Sequence, residues 1–171
     1  MPVIVDTNIL LRSAQPSHPL CAAATLAVSR LIRRDGRVFF CSQNIAEFWN
    51  VATRPASNNG LGLSHEEALR EVSAIENTLT LLPDTPDVYP AWKRIVENYR
   101  VQGVKVYDAR LIAIMNVYSV ENILTLNASD FQRYIGVTAL LPSAILQVLT
   151  IVRRICCQAR RQCVLQPRAG T

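Results

Sequence analysis

The chain has 171 residues, half of them apolar or aromatic and 18% charged, a balance that suits one soluble globular domain with a sizeable core. Its formal charge of +5 resembles a nucleic-acid signal, but residues 1–146 hold all 13 acids and 13 of the 18 Lys and Arg, and so balance. Arg153, Arg154, Arg160, Arg161 and Arg168 supply the whole excess, so the basic pI describes the last 25 residues and excludes nothing about the rest. No positive n-region of a secretory signal precedes the first strand-like run, and the apolar stretch from Ala144 to Val152 is too short to span a bilayer. The five cysteines lack paired metal spacing, and His18 and His65 are the only histidines. A reduced, cytoplasmic protein without a membrane segment is the expectation.

Val3-Ile4-Val5 is a short, continuously apolar run, as in a central parallel strand buried on both faces. After Pro16 and Pro19 a helix is predicted from about Leu20 to Arg34, and Asp35-Gly36 turns the chain into a second strand, Val38 to Cys41. Ser42 is positioned to cap the next helix, which carries Glu47 and runs to about Arg54. Pro55 to Leu63, with Asn58-Asn59-Gly60, reads as a loop, and Ser64-His65-Glu66-Glu67 as a capping box opening a helix to about Asn77. Leu79 to Leu82 is a third strand, and Thr85-Pro86 starts another helix with Pro86 at its first position. Val106 to Tyr118 is apolar nearly all round, hence a buried helix. Asn122 to Leu126 and Val137 to Leu140 complete the strands. Such alternation implies an α/β fold with a mostly parallel sheet covered on both sides. The pattern ends near Leu146, which divides the chain into a domain of residues 1–146 and a basic Cys- and Arg-rich extension of residues 147–171, read as disordered.

Four acids border apolar runs, where a charge loses hydration: Asp6, Glu47, Asp108 and Asp130. Asp6 follows strand one, Glu47 lies about one turn into the helix after strand two, Asp108 opens the buried helix, and Asp130 lies just past strand four. In open parallel sheets ligands bind outside the carboxyl ends of the strands, where all four can meet. Each also has an ordinary structural role to weigh: Asp6 as a helix cap, Asp108 as a first-turn acid and Asp130 as a turn residue. Glu47, between Ala46 and Phe48-Trp49, fits neither a cap nor a dipole role, although an Arg partner would account for it. Converging carboxylates suit a hard cation, Mg²⁺ or Mn²⁺, one or two ions, and such a site suits phosphodiester hydrolysis. Thr7, Asn8, Thr125 and Asn127 are polar neighbours able to orient carboxylates or metal-bound waters, with turn and cap chemistry as the alternative, the two being equal for Asn127. Arg12, Arg54, Lys93, Arg94, Arg100, Lys105 and Arg110 are candidate phosphate contacts, most of them expected on a solvated face. Tyr107 is a candidate base-stacking residue, though an aromatic at a helix start is more often core.

Val3-Ile4-Val5-Asp6-Thr7-Asn8-Ile9-Leu10-Leu11 resembles the opening of PIN-domain nucleases. Ser42 to Glu47-Phe48, Tyr107-Asp108-Ala109-Arg110-Leu111-Ile112-Ala113 and Leu124-Thr125-Leu126-Asn127-Ala128-Ser129-Asp130-Phe131 continue the likeness in order, over roughly residues 2–143. Size and order are most similar to the VapC-type toxins of toxin–antitoxin modules. The resemblance implies a Rossmann-like three-layer α/β/α sandwich whose acidic pocket hydrolyses RNA through Mg²⁺ or Mn²⁺. It assigns Asp6, Glu47, Asp108 and Asp130 as the acids, with Asn127 at an alternative place for the last, and Asn8 and Thr125 as supporting positions. It further implies a homodimer and a cognate antitoxin. Members of this type usually end near Pro142-Ser143, so the extension to Thr171 is either an RNA-steering arm or a dispensable addition. Two rivals remain: a non-catalytic RNA- or antitoxin-binding PIN module, and an Asp-dependent phosphatase, which would want a second acid where Asn8 stands.

Overall fold

The computed structural model describes residues 1–147, so the extension from residue 148 onward lies outside the described residues. Five strands, β1 (Val3–Val5), β2 (Val38–Cys41), β3 (Thr80–Leu82), β4 (Asn122–Leu124) and β5 (Thr138–Leu140), form one sheet in the order β3-β2-β1-β4-β5. Every pairing is parallel, with Val3 opposite both Val38 and Asn122. Parallel neighbours need helical crossovers, supplied by α1 (Thr7–Ser13), α2 (Cys21–Asp35), α3 (Ser42–Thr53), α4 (His65–Thr78), α5 (Val88–Tyr99), α6 (Lys105–Val117) and α7 (Ala128–Phe131).

The alternation of side chains along β1 divides the core in two. Val3 and Val5 pack with α1 to α4, whereas Ile4 packs with α5, α6 and α7. All three are fully buried, as a central strand covered on both faces requires. The result is a three-layer α/β/α sandwich with a Rossmann-like order. The chain builds outward from β1 through β2 to β3, then crosses to β4 on the other side. That reversal makes the carboxyl ends of β1 and β4 a topological switch point, where adjacent connections part and leave a crevice.

Local signals explain most element boundaries. Ser64 and Glu67 exchange hydrogen bonds across the start of α4, with Glu67 N donating to Ser64 Oγ at 3.2 Å and Ser64 N to Glu67 Oε2 at 2.7 Å. Gly36 ends α2 at φ +65°, a left-handed conformation that a side chain would strain. Three expectations need correction. Cys41, not Ser42, caps α3, because Asn44 Oδ1 reaches back to accept from Cys41 N at 2.9 Å; Ser42 instead donates its hydroxyl to Asp84. Pro86 does not open α5: Val88 N donates to Thr85 O at 3.1 Å, so Pro86 sits inside a turn and the helix starts at Val88. Strand β4 ends at Leu124, two residues early, because Thr125 and Leu126 turn towards Asn8. No helix among the described residues is long and apolar enough to cross a membrane.

Candidate active site at the sheet switch point

A cavity of about 530 Å³ opens at the carboxyl ends of β1 and β4. Asp6, Glu47, Asp108 and Asp130 all line it, with Thr7, Asn8, Asn127, Gln43, Asn50 and Tyr107 among the remaining walls. Asp6 comes directly from the end of β1, Glu47 from the second turn of α3, Asp108 from the first turn of α6, and Asp130 from α7.

Asp6 caps α1, accepting weakly from Asn8 N at 3.4 Å through Oδ1. Its Oδ2 accepts from the Asn8 side chain at 2.7 Å and from Thr125 Oγ1 at 2.6 Å. The capping and pocket roles therefore coexist in one carboxylate. Burial pushes its carboxyl up to about 6; the Thr125 hydroxyl and Asn8 N–H oppose this, while Asp108 and Glu47 add to it. Thr125 is fully buried and also accepts from Asn8 Nδ2 at 3.1 Å and Asn127 N at 3.0 Å, so it ties β4 to the end of β1.

Glu47 has neutral partners. Thr7 Oγ1 donates to Oε2 at 2.7 Å, and Gln43 Nε2 donates to Oε1 at 2.6 Å. Thr7 is held in turn by the buried Asn44, whose Nδ2 donates at 3.1 Å. Gln43 also donates to Tyr107 O at 3.0 Å and accepts from Arg110 Nη1 at 3.2 Å, and Arg110 pairs with Asp84 at 2.7 Å. Gln43, Asn44, Asp84 and the bridging role of Arg110 escape a reading of the sequence. The only local hint is the i, i+4 spacing of Gln43 and Glu47 on one helix face.

Asp108 is half-buried, and burial raises its carboxyl above the usual range, against the nearby Lys105 ammonium. Lys105 also meets Asp130, at 2.6 Å, and that hydrogen bond chiefly raises the lysine's own affinity for its proton. Of the other candidate phosphate contacts, Lys93 faces Glu97 at 3.9 Å on the exposed side of α5. Tyr107 departs from the core reading: it is 56% exposed at the cavity, because α6 turns Ala109 and Leu111 to Met115 inward instead.

The donor set is all oxygen, four carboxylates with the Asn127 amide nearby, which fits a hard divalent cation and not a thiophilic one. Among the described residues, no three His, Cys, Asp or Glu side chains already stand as a metal-holding cluster. The acids are instead turned towards Thr125, Asn8, Thr7, Gln43 and Lys105. The Cys41 thiol is no rival nucleophile: it is buried, and burial pushes it up to about 11.

Residues 3–136 match the PIN domain. The chain belongs to the PIN-domain family. No protein of curated function matches the sequence significantly. Solved structures are similar in fold. VapBC-1 from nontypeable Haemophilus influenzae is 14% identical, with a TM-score of 0.60, 84% of this chain and 99% of that one covered. DNA-bound VapBC from Salmonella typhimurium is 16% identical, with a TM-score of 0.59 and coverage of 83% and 98%. VapC20 of Mycobacterium tuberculosis, a sarcin–ricin-loop-cleaving toxin, is 15% identical, with a TM-score of 0.52 and coverage of 71% and 86%. At such identities the likeness is one of fold.

Proposed function

We propose that this PIN protein is a metal-dependent endoribonuclease, the toxin of a toxin–antitoxin pair. The observation that carries the reading is the placement of Asp6, Glu47, Asp108 and Asp130 around one cavity at the switch point. Asp6, Glu47 and Asp108 would hold one or two Mg²⁺ or Mn²⁺ ions, with Asp130 or Asn127 completing the set. When bound, such ions supply the positive charge that admits a phosphodiester and activates the attacking water. The chain's own residues orient the carboxylates beforehand: Thr125 and Asn8 fix Asp6, while Thr7 and Gln43 fix Glu47. Preset ligands spare the reaction that reorganisation. The place of a phosphatase's second acid is taken by Asn8, whose amide is committed to Asp6 and Leu126.

The fold likeness to VapC20 supports RNA as substrate, and the likeness to VapBC supports a cognate antitoxin as partner; a homodimer is proposed from the family resemblance alone. Incubating the purified protein with RNA, DNA and a phosphomonoester, with Mn²⁺ or with EDTA, tests the reading. RNA cleavage that requires Mn²⁺ is expected. Asp6→Asn and Asp108→Asn should each lower it by about 10²-fold or more, with the circular dichroism spectrum retained. Cleavage that persists unchanged in EDTA would sink the mechanism. A folded protein that binds RNA without cutting it would favour the non-catalytic module.

A further inference from the structure

Four acids line one cavity, yet no three of the described acidic, His or Cys side chains form a ready cluster. One physical cause lies at the Asp108–Asp130 side. Lys105 Nζ stands 2.6 Å from Asp130 Oδ1 and 3.4 Å from Asp108 Oδ2, so a single ammonium bridges both carboxylates. The contact with Asp108 is an i, i+3 pair within α6, an arrangement worth little by itself. The contact with Asp130 is of another kind, because it crosses from α6 to α7 and joins two walls of the same cavity.

We propose that Lys105 is the pocket's built-in counter-cation. Its ammonium occupies Asp108 and Asp130 in the metal-free protein, competes with a divalent ion for them, and so sets how much metal the site requires. This inference rests on the metal-dependent reading above. The residue type fits the task. A lysine places a compact point charge on a flexible stem, which can withdraw, whereas a guanidinium forks across carboxylates and holds them. The side chain is 39% exposed, so the ammonium has water to withdraw into. While it stays, it neutralises part of the repulsion among the carboxylates; once it leaves, a doubly charged ion replaces it at the same oxygens. Lys105 is thus a positioning residue that acts through two acids.

The test is Mn²⁺ binding to metal-free protein, followed by calorimetry at fixed ionic strength, together with the Tm in EDTA. Lys105→Met keeps most of the stem and removes the charge. It should bind Mn²⁺ on the order of tenfold more tightly, the size expected when the ion no longer has to displace an ammonium hydrogen-bonded to a carboxylate. Its Tm in EDTA should be lower. Lys105→Gln serves as a second, polar variant should the methionine disturb folding, and should move in the same direction. Lys93→Met, which removes a charge from the exposed side of α5, is the control and should leave the affinity within about twofold. A merely structural ion pair would lower the Tm and leave Mn²⁺ affinity unchanged. Unchanged or weaker binding by both Lys105 variants, or equal tightening by Lys93→Met, overturns the inference while the metal-dependent reading stands. Failure of wild type and variants alike to bind Mn²⁺ overturns both.

Discussion

At Asp6 one carboxylate caps α1 through the Asn8 N–H while its other oxygen takes hydrogen bonds from Thr125 and the Asn8 amide. The surroundings are poor in water, so its carboxyl rises from 3.8 to about 6, with burial the largest cause. A raised carboxyl means that the folded chain keeps a proton which the unfolded chain has already released. Stability is therefore greatest below about pH 4 in this contribution, falls as pH rises towards 6, and stays reduced above it. The shift corresponds to a loss on the order of 3 kcal/mol across that window. Urea denaturation in EDTA at pH 4.5 and 7.5 should show about two thirds of this loss, since the unfolded chain has already begun to ionise at pH 4.5. Asp6→Asn, which cannot ionise, should be markedly less dependent on pH and at least as stable as wild type at pH 7.5. An equal pH dependence in both proteins would refute the account of Asp6. Asp108, also raised by burial, acts in the same direction and leaves a residual slope in the variant.

Helix α3 carries Glu47, and its carboxyl end is held by the chain that follows it. Leu61 N donates to Val51 O, Gly62 N to Arg54 O and Leu63 N to Ala52 O, each at 2.9 Å, so the loop folds back to satisfy carbonyls that the helix leaves open. Gly60 makes this return close. A Cβ there would lie 1.9 Å from the Arg54 carbonyl oxygen and 2.4 Å from its carbon, a clash with backbone that cannot swing away. Gly60→Ala should therefore cost about 1–3 kcal/mol, read as a fall in Tm. It should also loosen α3, seen as faster amide exchange at Val51 and Ala52 than at α6. A Tm equal to wild type would show that the loop can shift without penalty. On the other layer, α6 buries an unbroken run from Leu111 to Met115 in one core with α5 and the sheet, which gives Asp108 a rigid base.

Across the whole molecule, the cavity exists because the strand order places β4 beside β1, and Thr125 then binds Asp6. Global unfolding must therefore dismantle the site, and a cation that binds only the folded pocket stabilises the entire domain. At a free Mn²⁺ concentration 100-fold above its Kd, the gain should be about 2.7 kcal/mol, visible as a higher Tm that EDTA reverses. Asp108→Asn should show a much smaller rise. A Tm indifferent to Mn²⁺ in the wild type would argue against a cation bound in the folded pocket.

The layered fold and most elements were readable in the amino-acid order, because their signals are local. Val3-Ile4-Val5 is apolar without interruption, and Ser64 meets Glu67 three residues away, within one turn of helix. Where local rules allow two answers, neighbours in space chose between them. Cys41 became the cap of α3 because β2 continues to Cys41 opposite Leu82 on β3, which leaves Ser42 inside the helix and Asn44 placed to reach back. Pro86 suits a helix start or a turn equally, and the turn before Val88 took it. The four acids were conspicuous in sequence as charges beside apolar runs; what sets them around one cavity is the crossover between β3 and β4. Gln43 gave no comparable signal, since its bond to Tyr107 spans 64 positions. Lys105 stood out only as one of seven candidate phosphate contacts, because an ammonium becomes a bridge between two carboxylates only after α7 has packed beside α6. Periodicity and capping act within a few residues, whereas an ionic site depends on distances that the chain closes only when the sheet has formed.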